Sequence, residues 1–173
     1  MELDKSNSDR LWQRANLLAL LTITYNIAEG AISVWFGMAD ETLALFGFGV
    51  DSFVEVASGV AVWHMIRRLR NRGESSRDRF EQNALKITGL SFYLLATSLA
   101  LTSAVNLYQG HHPETTQWGI VVSLISILGM WLLIRHKVRV GNLLESPAIL
   151  ADAACSRTCL YLAVILLFAS CGY

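Results

Sequence analysis

The sequence predicts an all-α, polytopic membrane helix bundle with five transmembrane helices. Three observations carry that prediction. The 173 residues are 53% hydrophobic and only 16% charged, and their mean hydropathy is +0.41, too apolar for an ordinary soluble domain. Five apolar runs come close to the roughly 20 residues that cross a bilayer as a helix. The basic residues collect in alternate links, the pattern that sorts loops between the two sides of a membrane.

Residues 1–10 read as a short cytoplasmic arm, with Lys5, Arg10 and Arg14 placing positive charge before the first span. Residues 11–173 read as one transmembrane domain. Helix 1 is predicted over about 11–36. Its apolar run contains Glu29 and no small-residue cleavage pattern, so it is a retained helix and not a signal peptide. A short acidic link, Gly37-Met38-Ala39-Asp40-Glu41, leads to helix 2 over about 41–66. The next link is rich in arginine (Arg67, Arg68, Arg70, Arg72, Arg77 and Arg79) and runs to Lys86. It is placed in the cytoplasm against anionic headgroups.

Helix 3 follows over about 83–107, then a turn-rich link with Gly110 and Pro113 and no lysine or arginine. Helix 4 is predicted over about 117–134, a basic link holds Arg135, Lys137 and Arg139, and helix 5 covers about 146–170. Thirteen of the fourteen basic residues thus fall on one side, which puts the N terminus in the cytoplasm. The fourteenth, Arg157, lies inside helix 5. Net charge is zero, which gives no reason to expect a nucleic-acid partner; the partner the composition implies is the lipid bilayer of a plasma or inner membrane. Cys155, Cys159 and Cys171 sit together near the end of the chain, so no disulfide framework is expected.

Two spans carry side chains that a lipid environment does not explain. Asp51 and Glu55 lie in the middle of helix 2, where an ionisable group costs at least about 2.5–3.5 kcal/mol on insertion scales. One turn apart, they share a face, with Cβ atoms roughly 6 Å from each other. Cys155 and Cys159 have the same spacing at the middle of helix 5. Two carboxylates and two thiols at one depth suit a tetrahedral Zn2+ site, and the thiols would also accept Cd2+ or Cu+. Metal and protons compete for such atoms, so a site open alternately to each side would exchange one for the other. No catalytic group is required, and the chain is not read as an enzyme.

Other residues take lesser parts. Asp152 is read as an entry-path carboxylate or an acceptor behind the ligands. Glu29, with Asn26 and Tyr25 on its side of helix 1, is a further buried acid, and Arg157, turned away from the thiol face, is matched with it as a neutralising partner. His64 is assigned to a helix end, and His111 and His112 to incidental binding in an outer link. Trp12, Trp35, Trp63 and Trp118 fall at span ends as interfacial anchors, and Gly47, Gly49 and Gly59 allow close helix packing.

The segment Val50-Asp51-Ser52-Phe53-Val54-Glu55 resembles the D-x-x-x-D signature of the cation diffusion facilitators. The run from Glu145 to Cys159, ESPAILADAACSRTC, resembles their S-x-x-L-x-A-D-x-x-H-x-x-x-D signature. The resemblance covers all five helices. It implies a homodimeric, proton-coupled exporter of zinc or a related divalent cation. Asp51 and Glu55 would take the two acidic ligand positions, and Cys155 and Cys159 the histidine and aspartate positions, which shifts preference toward softer ions such as cadmium. The chain would be a short member, lacking the family's cytoplasmic tail and sixth helix. Two other functions account for fewer of these residues. One is a metal-binding membrane subunit that does not transport. The other is a membrane thiol oxidoreductase cycling Cys155 and Cys159, although an i, i+4 pair reaches disulfide geometry only with distortion.

Overall fold

A computed structural model describes residues 5–39, 43–72, 77–109 and 117–171. Five helices account for them: α1 Lys5–Ala39, α2 Leu43–Arg72, α3 Arg77–Gln109, α4 Gln117–Leu143 and α5 Pro147–Cys171. Among the described residues, four (α1, α2, α4 and α5) are long and apolar enough to cross a membrane. The fifth, α3, has the length for a crossing at 33 residues. The first four residues of the arm, the Asp40-Glu41 part of the first link, His111, His112 and Pro113, and the terminal Gly172-Tyr173 lie outside the described residues.

The helices overrun their predicted ends. The first begins at Lys5, inside the arm, and α2 continues through its arginines to Arg72. The largest difference is α4, which passes the predicted end at 134 and runs to Leu143. Hydropathy falls at Arg135, but a charged side chain does not stop a helix; a cap or a proline does. Here the stop is a Schellman turn. Ser146 N–H donates to Gly141 O at 3.0 Å and Glu145 N–H to Asn142 O at 3.3 Å, with Glu145 in the left-handed region at φ 47°. Pro147 then opens α5, where its missing N–H is harmless.

Packing makes α2 and α5 the inner pair. α2 contacts α1, α3 and α5; α5 contacts α2, α3 and α4; α1 also lies on α4. Close approach of α1 and α2 depends on Gly30 and Gly49: a Cβ on Gly49 would stand 2.8 Å from Val34 N and 2.9 Å from Gly30 O. Two apolar clusters close the ends of the bundle. One gathers Leu11, Ala61, Met65, Ile66, Val140 and Ile149, the other Leu45, Phe48, Val122, Ala163 and Leu166. Phe36 stacks on Trp118 beyond the second cluster, ring centroids 4.0 Å apart. Between the clusters lies a buried polar belt with Asn26, Glu29, Asp51, Glu55, Lys137, Asp152 and Ser156.

Candidate functional site

The polar belt draws side chains from α1, α2, α4 and α5. From α2 come Asp51 (3% exposed) and Glu55 (0%), and from α5 come Cys155 (1%) and Cys159 (3%). Both thiols are free. Cys159 lies within electrostatic reach of Glu55, Asp51 and Cys155, and Cys155 within reach of Glu55, Asp152 and Lys137. The α2–α5 contact thus brings the four residues singled out in the sequence into one region. They do not close into a preformed metal cage: among the described residues, no three His, Cys, Asp or Glu side chains converge on a point as ligands would. Asp51 Oδ1 and Glu55 Oε2 are buried with no hydrogen-bond partner, and a buried unpaired carboxylate oxygen is costly.

A lysine stands beside them. The sequence places Lys137 in a cytoplasmic link, and the structure corrects this. Because α4 continues to Leu143, Lys137 lies on the inner face that also carries Ser123, Ser126 and Met130, and it is 1% exposed. Its ammonium lies 2.8 Å from Asp152 Oδ2, donates to Ser156 Oγ at 2.8 Å and sits 4.0 Å from Glu55 Oε1. Ser156 in turn donates to Glu55 Oε1. Ser58 donates to the other oxygen of Asp152 at 2.8 Å and shares a 3.1 Å hydrogen bond with Thr88. The result is a hydrogen-bonded chain from Asp152 through Lys137 and Ser156 to Glu55, tying α2, α4 and α5 together around an internal cation. Asp152 is thereby the direct counter-ion of Lys137.

Glu29, 7% exposed, forms a separate cluster among α1, α2 and α4. Tyr25 Oη and Ser52 Oγ each donate to it at 3.0 Å, and Ser126 Oγ also donates to it. Asn26 is wholly buried, its Nδ2 tied back to Thr22 O at 3.0 Å, and its Oδ1 has no partner. The expected pairing of Glu29 with Arg157 does not form. Arg157 projects from the exposed side of α5, since Ser156 and Cys159 take the inward face, and hydroxyls surround Glu29 instead.

Away from the belt, Arg68 Nε donates to His64 Nε2 at 2.9 Å, and Ser146 donates to the buried Glu81 at 2.6 Å. Because α2 runs on to Arg72, His64 lies about two turns inside the helix and not at its end, on an exposed face away from the belt. Of the four tryptophans read as anchors, Trp35 and Trp118 are 73% and 46% exposed, whereas Trp12 and Trp63 pack partly buried against the first apolar cluster.

The hydroxyls that organise both clusters, Ser52, Ser58, Ser126 and Ser156, escape a search for charged residues and thiols alone. Their signal was helical spacing: Ser52 and Ser58 stand three residues to either side of Glu55, and Ser156 lies one turn past Asp152. Glu29, Asp51, Glu55 and Asp152 are buried with, among the described residues, one buried ammonium, that of Lys137, so neutrality requires protons or further cations. Comparison of the chain with protein-family models, with curated proteins and with solved structures found no match.

Proposed function

We propose that the chain is a membrane transporter that exports divalent metal cations in exchange for protons, as its resemblance to the cation diffusion facilitators implies. The observation that supports this most is the pair of unpartnered carboxylate oxygens, Asp51 Oδ1 and Glu55 Oε2, buried on successive turns of α2. Cys155 and Cys159 supply soft donors nearby, so Zn2+ and Cd2+ are the substrates of first choice. Lys137 is the resident cation that the substrate displaces from the neighbourhood of Glu55. Its ammonium already rests on Asp152 at 2.8 Å, so it withdraws from Glu55 without becoming unpaired. Protons return to the carboxylates and thiols as the metal leaves, which couples export to the proton gradient. The working unit in this reading is a homodimer in a plasma or inner membrane, N terminus in the cytoplasm.

Reconstituted vesicles test the proposal. A pH gradient is expected to drive Zn2+ or Cd2+ flux that Glu55→Gln abolishes; flux retained in that variant would refute the site. A second reading, a metal-binding subunit that does not transport, is favoured by the fact that Lys137 already supplies positive charge 4.0 Å from Glu55. Stoichiometric metal retention without flux would support it.

A further inference from the structure

We propose that Glu29, Tyr25, Ser52 and Ser126 form a second cation site, built of oxygen atoms alone, that takes a hard monovalent cation, Na+. Three hydroxyls from three helices converge on one carboxylate there: Tyr25 of α1 and Ser52 of α2 at 3.0 Å each, and Ser126 of α4. Helical hydroxyls in this chain bond in two ways, and Ser52 does both, since it also donates to Phe48 O at 3.2 Å. Thr22, Ser91 and Ser123 each turn back to the carbonyl four residues earlier, Leu18, Ile87 and Gly119, the ordinary arrangement. Ser126, one turn beyond Ser123, reaches across to Glu29 instead.

Tyr25 is held in place by a missing side chain. A Cβ on Gly129 would stand 2.8 Å from the phenol, and its absence lets Tyr25 Oη approach Ile125 O at 3.3 Å. An unsatisfied acceptor lies one turn away on α1. Asn26, 0% exposed and one turn before Glu29 on the same face of α1, keeps Oδ1 without a partner, while its amide nitrogen is committed to Thr22 O.

Charge and donor chemistry select the ion. The buried ammonium is committed to Asp152 and Ser156, so among the described residues Glu29 is answered by hydroxyl dipoles. One carboxylate balances one positive charge, whereas a divalent ion at this cluster would leave excess charge in a low-dielectric interior. Each hydroxyl offers lone pairs once its proton turns away, and a set made only of oxygen suits a hard cation, unlike the thiol-bearing α5 face. Ion sites at mid-depth between helices are where membrane transporters hold coupling ions.

The test uses Na+ alone, so its result is independent of divalent-cation binding. Equilibrium binding of radiolabelled Na+ to the purified chain, in sodium-free choline buffer, is expected to be saturable. Glu29→Gln should weaken it by roughly tenfold or more, Ser126→Ala by several-fold, and Glu55→Gln by less than about twofold. Ser126→Ala removes one hydroxyl and no charge, so it reports on the site even if Glu29→Gln folds poorly. Absence of saturable Na+ binding to the wild type, binding unchanged in Ser126→Ala or retained in folded Glu29→Gln, or a loss in Glu55→Gln equal to that in Glu29→Gln would overturn the proposal.

Discussion

Lys137 Nζ lies 2.8 Å from Asp152 Oδ2, and the two side chains are 2% exposed, so a bundle read as membrane-spanning holds a lysine–aspartate ion pair in its interior. Lysines near the ends of membrane helices ordinarily extend toward the headgroups. This one turns inward, because Asp152, Ser156 and Glu55 offer an anionic setting that lipid does not.

Lys137→Met is therefore expected to destabilise the bundle by about 3–5 kcal/mol, since it leaves Asp152 buried without a counter-charge. Adding Asp152→Asn removes the orphaned charge and should recover most of the loss. Thermal unfolding in detergent measures both; a double variant no more stable than Lys137→Met would refute the direct pairing.

Replacing Cys155 with His and Cys159 with Asp exchanges soft donors for harder ones. If the thiols are ligands, competition binding should show preference moving from Cd2+ toward Zn2+ by roughly tenfold. Unchanged preference would make them packing residues only.

The α1–α2 contact is tested by two glycines with opposite surroundings. Gly49→Ala sets a methyl 2.8–2.9 Å from the backbone of α1 and is expected to cost about 1–3 kcal/mol. Gly89→Ala on α3 meets nothing within 4 Å and should be neutral or stabilising by up to about 1 kcal/mol through helix propensity. Equal effects on the melting temperature would argue against backbone contact at Gly49.

At the α4–α5 turn, the φ of 47° at Glu145 suits glycine and excludes β-branched residues. Glu145→Val should destabilise by about 1–2 kcal/mol relative to Glu145→Gly. Urea unfolding of the two variants compares them, and equal stabilities would contradict a left-handed cap.

Much of this arrangement was legible in the sequence. Apolar runs separated by polar links gave the five helices, and the shared helical face of Asp51 and Glu55 is one that the bundle buries. The thiol pair of α5 fell in the same region by the same spacing. Lys137 was hidden because hydropathy drops at Arg135, whereas the helix ends only where Glu145 and Pro147 turn the chain. Read with a longer α4, Ser123, Ser126, Met130 and Lys137 fall on one face at spacings of three, four and seven. The partners of Glu29 were hidden for another reason: serine and tyrosine hydroxyls are common in membrane helices, and only tertiary packing decides whether they bond their own backbone or a neighbouring carboxylate. Arg157 looked like the natural match for Glu29 by charge, but it lies on the opposite side of α5.

The central claim is that a divalent cation binds at Asp51 and Glu55 and displaces protons. Isothermal titration of the purified chain with Zn2+ and Cd2+, at two pH values and in buffers of different ionisation heat, tests it most directly. The expected result is about one site per chain, affinity that falls as pH is lowered, net proton release on binding, and a loss of roughly tenfold or more in both Asp51→Asn and Glu55→Gln. Binding of undiminished strength in both variants, or binding without proton release, would contradict it and leave the carboxylates of α2 with a structural role alone.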